Sequence, residues 1–335
     1  MRKISALLVG WLLTFSGQSV FAQNPKLIEA AKKEGGKVIV YTTMEPFTLD
    51  AIKAAFEKKT GLQVEFWRSG ITEVLTRALS EHRAGKAIFD VIGMPGDHMQ
   101  LMAKEGALVK YDSPSLKGFP KDAIDPILGA RYRHILFGVI YNKNDIKASE
   151  APKTLEDVVK PEYRGKLVMP HPTNHTTTTQ WLASLDKIMP KARAEKFIHD
   201  LAAAKPIFVE NTIPAAERVS SGETPIGISF PRFVLTYNKQ GANLDYVRDY
   251  NMLGDGHYIS LEAKAPRPNA GKAFIDFFLD DESMKIQADI GEFVNRRGIY
   301  PPLQDADKIK FVQMYQFGKE DFETKKKEYQ KIFLQ

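Results

Sequence analysis

The sequence contains no cysteine, and this absence excludes several kinds of site. Without thiols the chain forms no disulfide bond and no thiolate metal site, and it offers neither a thiol nucleophile nor a cysteine for a lipid anchor. After residue 22 it also lacks an apolar run long enough to cross ~30 Å of hydrocarbon. We therefore expect the fold to be stabilised by burial of apolar residues, which make up 43% of the chain.

Charge of one sign is not concentrated anywhere in the sequence. The formal net charge is only +6, and lysine and arginine alternate with aspartate and glutamate along the chain. Proteins that bind nucleic acids carry blocks or stripes of basic residues, so we predict no nucleic-acid partner. The mild positive balance instead favours an anionic ligand or an acidic partner.

The first 22 residues have the pattern of a secretory signal peptide. A basic start (Met1–Lys3) precedes an apolar stretch, and Val20-Phe21-Ala22 offers a cleavage site. The alternative is a membrane anchor, but the strongly apolar part, Ala6–Phe15, is too short to span a bilayer. We therefore expect a protein secreted through a cleaved signal peptide and located in the periplasm.

The remaining sequence alternates short β-branched runs with amphipathic segments, a pattern typical of α/β folds with a parallel sheet. A first unit predicts strands at residues 37–41, 62–67 and 88–93, with helices between them. A second unit begins near His134. Its predicted strands are residues 135–141, 166–169, 206–209, 225–229 and 258–263.

Polar and flexible residues follow the strands of the first unit. In parallel sheets, the loops at the carboxyl ends of strands line the ligand crevice. The candidate ligand-binding residues of these loops are Thr42, Thr43, Arg68, Ser69, Gly70, Met94 and Pro95. Each could equally be an ordinary turn residue. Arg68 could bind an oxyanion bidentately or pair with Glu45 or Glu73 on the surface.

A run of four threonines opens a helix of the second unit. A helix N-terminus presents unpaired N–H groups and a partial positive charge, which suit carboxylate, phosphate or sulfate. Asn174, His175, Thr176 and Thr177 are therefore candidate ligand-binding residues. The alternative is a solvated helix start that uses one of these side chains as a cap.

Three further candidates follow later strands. Thr212 comes after the strand ending at Val209, and Arg232 comes after the strand ending near Phe230. An arginine at that place indicates a ligand with more negative charge. Tyr258 lies at a predicted return crossover, where it either contacts the ligand or packs the hinge.

Several sequence segments together resemble those of the extracellular solute-binding proteins of ABC importers. The segments on which this resemblance rests are Lys37–Thr43, Phe56–Gly61, Ile140–Asn144, Pro152–Asp157, Tyr163–Pro170 and Ala273–Leu279. The likeness extends from about residue 36 to 300. It is greatest to the branch described as ferric-iron, phosphonate or sugar-phosphate binding.

This resemblance implies a type II fold of two α/β lobes that close on a ligand in the cleft between them. We expect residues 23–133 and 260–299 in the first lobe and residues 134–259 and 300–335 in the second. The resemblance further implies an ABC permease in the inner membrane as partner, no cofactor, a monomeric state and a small anionic solute as ligand.

Two other functions remain open. Ferric-binding relatives hold iron with adjacent tyrosines, and this chain has no Tyr-Tyr pair, so iron binding would need another ligand set. His171 and His175 are four residues apart, but Pro172 between them favours a loop, and we predict no metal site. A secreted enzyme on the same scaffold is the last alternative. The sequence shows no Gly-x-Ser-x-Gly or His-Glu-x-x-His motif, and we predict no catalytic residue.

Overall fold

The computed structural model describes residues 24–249, 251–317 and 319–334. The predicted signal peptide lies outside these residues. Within the described ranges, none of the helices combines the length and the apolarity that a membrane crossing requires.

The described residues form strands and helices that alternate along most of the chain. The strands are β1 Lys37–Thr42, β2 Gln63–Arg68, β3 Val91–Pro95, β4 Leu108–Val109, β5 Ile124–Asp125, β6 Gly129–Leu136, β7 Gly138–Asn142, β8 Leu167–Pro170, β9 Ile207–Val209, β10 Ile226–Ser229, β11 Leu244–Tyr246, β12 Asn251–Glu262, β13 Phe293–Val294 and β14 Lys310–Gln313. The helices are α1 Pro25–Lys33, α2 Pro46–Thr60, α3 Ile71–Arg83, α4 Gly96–Lys104, α5 Thr176–Ala183, α6 Lys191–Ala203, α7 Thr212–Ser220, α8 Arg232–Asn238, α9 Pro268–Phe278, α10 Asp281–Asp289 and α11 Lys319–Phe333. The predicted α/β class is confirmed.

Two separate sheets organise these elements. The first has the order β13-β6-β12-β3-β1-β2, with β4 and β14 paired to β12 and β5 paired to β6. The second has the order β11-β7-β10-β8-β9. β1 runs parallel to β2 and β3, as predicted, but β12 is antiparallel to β3 and β6. Each sheet is therefore a parallel core with antiparallel strands added.

Helices cover both faces of each sheet. In the first, α2 and α9 pack on one face around Phe56 and Phe274, while α3 and α4 bury Val74 and Met99 on the other. In the second, α5, α6 and α11 surround Trp181, and α7 and α8 cover the opposite face. We call the first sheet with α1–α4, α9 and α10 the first lobe, and the second sheet with α5–α8 and α11 the second lobe.

The prediction of one strand over residues 135–141 is wrong, because the chain leaves the first sheet within it. β6 ends at Leu136, and β7 begins at Gly138 in the second sheet. A Cβ atom on Gly138 would lie 2.8 Å from the Cε atom of Met252, so a glycine permits this close crossing of two connecting segments.

The chain returns to the first sheet at β12. Residues 134–136 of β6 and 251–259 of β12 belong to the first sheet, although the predicted division placed them in the second lobe. We therefore propose lobe boundaries after Leu136 and before Asn251. A third crossing follows β14, since α11 packs against α5 and α6 of the second lobe.

Candidate functional site

A cavity of about 230 Å³ lies between the two lobes, at the carboxyl ends of β1 and β2. We call it the cleft cavity. First-lobe residues supply most of its lining: Thr43, Glu45, Arg68, Ser69, Gly70, Ile71, Pro95, Arg133, Ile135, Asp255 and His257. The other lining residues are Thr177, Gln180 and Phe230 of the second lobe and Met314, which follows β14.

The structure brings part of the predicted set together around this cavity. The predicted residues that line it are Thr43, Arg68, Ser69, Gly70, Pro95 and Thr177. The predicted residues outside its lining are Thr42, Met94, Asn174, His175, Thr176, Thr212, Arg232 and Tyr258. Ligand contact by any of them remains a prediction.

Three of the residues outside the lining serve the packing of the first lobe. The buried Oγ1 of Thr42 accepts a hydrogen bond from the backbone N–H of Met44 at 3.1 Å. Met94 is fully buried in the core beneath α3 and α4. Tyr258 packs against the same core, and its ring would meet a Cβ atom on Gly96 at 2.9 Å.

In the second lobe, His175 acts as the cap of α5. Its Nδ1 accepts a hydrogen bond from the backbone N–H of Thr178 at 3.3 Å, and burial lowers its pKa to about 4. Asn174 and Thr176 are exposed beside it. Thr212 is buried, and its carbonyl oxygen accepts a hydrogen bond from Ser229 Oγ at 2.8 Å.

Arg68 lines the cleft cavity, and its side chain is exposed. Among the described residues its guanidinium forms no hydrogen bond or ion pair. One alternative partner, Glu73, accepts a hydrogen bond from Ser69 Oγ instead, and Glu45 binds two other arginines. Gly70 and Ile71 line the cavity at the start of α3, and no side chain caps that helix at Gly70, so its first N–H groups have no side-chain acceptor.

Two arginines and two glutamates meet at one wall of the cleft cavity. We call Glu45, Arg133, Arg232 and Glu292 the interlobe ion cluster. Arg133 Nη1 lies 2.8 Å from Glu292 Oε1 and 3.3 Å from Glu45 Oε2. Arg232 lies 2.6 Å from Glu45 Oε1 through Nη2 and 2.9 Å from Glu292 Oε1 through Nη1.

Burial makes this cluster electrostatically strong. The side chains of Arg133 and Glu292 are each only 1% exposed. Burial opposes ionisation of Glu45, but the guanidinium groups of Arg133 and Arg232 outweigh it and lower the pKa of this carboxyl to about 2. The four charges sum to zero, so the cluster itself neither attracts nor repels an ion at long range.

Several buried polar atoms around the cleft cavity have no partner among the described residues. They are Thr43 Oγ1, Arg133 Nε and His257 Nδ1, all on cavity-lining residues. Burial lowers the pKa of His257 well below its usual range, so its ring is neutral and can donate or accept. Buried polar groups are paired in nearly all native structures, so these atoms are candidate partners for a polar ligand.

Asp255 is a second carboxylate of the cavity lining. Its Oδ1 accepts hydrogen bonds from Gln313 Nε2 at 2.9 Å and Gln316 Nε2 at 3.2 Å. Burial raises its pKa to about 6, and the charge of Asp97 adds to this effect. The folded state therefore binds a proton between pH 3.8 and about 6 that the unfolded chain has released.

We expect the substitution Asp255→Asn to weaken the pH dependence of stability. In the wild type, the contribution of this carboxyl is present below about pH 4 and is lost as the pH rises through about 6, because ionisation is penalised only in the folded state. Urea midpoints measured across this range should fall with rising pH more steeply in the wild type than in D255N. The exposed Asp112→Asn serves as control, and equal slopes in D255N and the wild type would contradict the assignment.

Four titratable residues that line the cavity were missed by the sequence reasoning. Glu45 follows β1, so the rule that loops at the carboxyl ends of parallel strands line the ligand crevice could have identified it. The strands that connect the lobes contain the other three, Arg133, Asp255 and His257. The rule applies to loops and not to residues within strands. The alternation of glycine with polar residues over 254–257 was the available signal, since small residues within a strand permit close approach of another group.

Among the described residues, no group of three or more His, Cys, Asp and Glu side chains is placed to hold a metal ion. His171 Nδ1 lies 2.9 Å from Thr173 Oγ1, and His175 Nδ1 binds within its own helix start. The two histidines thus direct these nitrogens to local partners.

A family model described as bacterial extracellular solute-binding protein matches residues 51–317. Comparison with curated proteins finds no match. Many solved structures share the fold. The periplasmic binding protein AfuA from Actinobacillus pleuropneumoniae, solved with fructose-6-phosphate bound, is similar with a TM-score of 0.65 and 20% identity over 89% of this chain and 97% of that chain.

Two further structures extend this likeness. Iron-bound HitA from Pseudomonas aeruginosa superposes with a TM-score of 0.67 and 19% identity, over 88% of this chain and 99% of that one. The substrate-binding protein of an ABC transporter from Agrobacterium tumefaciens gives a TM-score of 0.73 and 14% identity, over 90% of this chain and 96% of that one. At these identities the likeness establishes the fold.

Proposed function

We propose that this chain, which belongs to the bacterial extracellular solute-binding proteins, is the periplasmic component of an ABC importer. In this role it captures a small anionic organic solute, namely a carboxylate, phosphonate or sugar phosphate, by closure of its two lobes, and delivers it to a permease in the inner membrane. It acts as a monomer, without a cofactor and without making or breaking a covalent bond.

We infer an anionic ligand from the hydrogen-bond donors at the cleft cavity that have no partner among the described residues. Among the described residues, the guanidinium of Arg68, which lines the cavity, has no partner, and neither has the buried Nε of Arg133. An anionic group that reaches both, together with the N–H groups at the start of α3, satisfies donors that are otherwise left without partners. Thr177 of the second lobe contributes a hydroxyl from the opposite side.

The acceptors of the cavity suit the rest of an organic solute. Asp255 and the neutral ring of His257 can accept hydrogen bonds, so hydroxyl groups of the ligand have partners at the β12 side of the cavity. A molecule with an anionic group at one end and hydroxyls at the other matches this division. The fructose-6-phosphate bound to AfuA has that chemistry, which supports the proposal.

Iron is the other cargo named among the structural neighbours, in HitA. Ferric iron prefers anionic oxygen ligands. In this chain both carboxylate oxygens of Glu45 bind arginine side chains, and the residues that line the cleft cavity include no tyrosine. The donor set therefore favours an organic anion over a bare ferric ion.

A thermal-shift screen tests the proposal. The probes are inorganic phosphate, glucose 6-phosphate, fructose 6-phosphate, citrate, 2-aminoethylphosphonate and ferric chloride, with glucose as the uncharged control. A ligand at 100 times its Kd stabilises the native state by about 2.7 kcal/mol, which raises the Tm by several degrees. We expect at least one organic anion to do so and glucose not to. A shift with ferric chloride alone, or with none of the anions, would contradict the anionic organic ligand.

A further inference from the structure

We infer that Arg232 is a positioning residue that fastens the second lobe to the first across the cleft, whether or not a ligand is present. The inference goes beyond the proposed function, because it does not depend on which solute binds. It also changes the predicted role of this arginine from direct contact with the ligand to control of the cavity wall.

The geometry sets Arg232 apart within the interlobe ion cluster. It opens α8, which follows β10 in the second sheet. Its carboxylate partners lie in the first lobe, with Glu45 directly before α2 and Glu292 between α10 and β13. The guanidinium binds both, at 2.6 Å and 2.9 Å, so a single second-lobe side chain holds two first-lobe carboxylates.

The contact between Arg232 and the two carboxylates can break without leaving a carboxylate unpaired. Arg133, on β6 of the first lobe, also binds Glu45 and Glu292. When Arg232 leaves, neither carboxylate is left without a cation, and this avoids the cost of an unpaired buried charge. Arg133 is thus the permanent partner of the two carboxylates, and Arg232 is the detachable one.

The contact also shapes the cleft cavity. Glu45 and Arg133 line it, whereas Arg232 does not. While Arg232 binds Oε1 of Glu45, the other oxygen of that carboxylate is directed to Arg133, and the cavity wall is fixed. When the lobes already associate without ligand, closure subtracts less from the free energy of ligand binding.

Small-angle X-ray scattering of the unliganded protein tests this inference. The variants are Arg232→Gln, Arg232→Lys and the control Arg267→Gln. Arg267 is matched in burial, at 14% exposed against 12% for Arg232, but it pairs with Asp90 within the first lobe. Each glutamine variant therefore removes one largely buried guanidinium, and only in R232Q does that guanidinium pair with carboxylates of the other lobe.

We expect R232Q to have a larger radius of gyration than the wild type, by about 1 Å on the ~20 Å of a compact chain of this length. R232K, which keeps the charge, should restore most of the wild-type value, and R267Q should not expand. Amide exchange of residues 43–47 and 290–293 should accelerate in R232Q only. Equal radii in R232Q and the wild type, or equal expansion in R232Q and R267Q, would overturn the inference. Neither result depends on any ligand, so the proposed function can fail or succeed separately.

Discussion

Replacement of Arg133 by methionine is expected to lower the free energy of unfolding by about 3–5 kcal/mol, the cost of breaking a buried ion pair by removing one partner. Arg133 is 1% exposed and binds Glu292, which is equally buried. Methionine is unbranched and carries no charge, so Glu292 loses its closest cation and is left with Arg232 alone. Urea unfolding followed by circular dichroism measures the change, which should appear in the midpoint with little change in slope.

Two comparisons make this result specific. The substitution Arg83→Met removes an ion pair between Arg83 and Glu105, whose side chains are 60% and 40% exposed. Because solvent screens such a pair, this variant should be nearly as stable as the wild type. Arg133→Lys keeps the charge but loses the second donor branch of the guanidinium and should fall between the wild type and R133M. An R133M variant as stable as R83M would show that the interlobe ion cluster contributes nothing to the fold.

The second large effect is expected from Arg68→Glu, on ligand affinity rather than on stability. Arg68 is exposed and unpaired among the described residues, so its replacement should leave the free energy of unfolding within about 0.5 kcal/mol of the wild type. Reversal of its charge removes a charge-assisted hydrogen bond and adds repulsion. For the anion with the largest thermal shift, Kd should rise roughly 10- to 150-fold from the lost hydrogen bond alone, since hydrogen bonds to charged groups contribute ~1.5–3 kcal/mol and 1.4 kcal/mol is a factor of ten; the added repulsion increases Kd further.

Isothermal titration calorimetry measures this change, and Arg164→Glu is its matched control. Arg164 is also exposed, but it does not line the cleft cavity. We expect R164E to bind as the wild type does. If R68E and R164E lower the affinity equally, the effect is one of overall charge, and Arg68 does not contact the ligand.

Much of the fold could be predicted because its signals are local. The β-branched run at residues 37–41 lies within β1, and the helix predicted between the second and third strands is α3. The segment 135–141 was misread because nothing local shows that it crosses between sheets. At that crossing Gly138 lies close to Met252, and these two residues are far apart in the sequence.

The residues of the candidate site could likewise be predicted only where the signal is local. Thr43, Arg68 and Gly70 follow parallel strands, where general sheet geometry predicts a ligand crevice, and they line the cavity. Arg133 and His257 lie within long strands, and the strand period of two does not say which face meets the second lobe. The partners of Arg232 lie in the other lobe, so its part in the interlobe ion cluster could not be read from its own loop.

The most direct test is a crystal structure of the protein with the anion that gives the largest thermal shift. We predict that its anionic group lies in the cleft cavity, within hydrogen-bond distance of the guanidinium of Arg68 and the first N–H groups of α3, with Thr177 approaching from the second lobe. Electron density for the anion outside this cavity, or a metal ion held there by Glu45 and Asp255, would contradict the account.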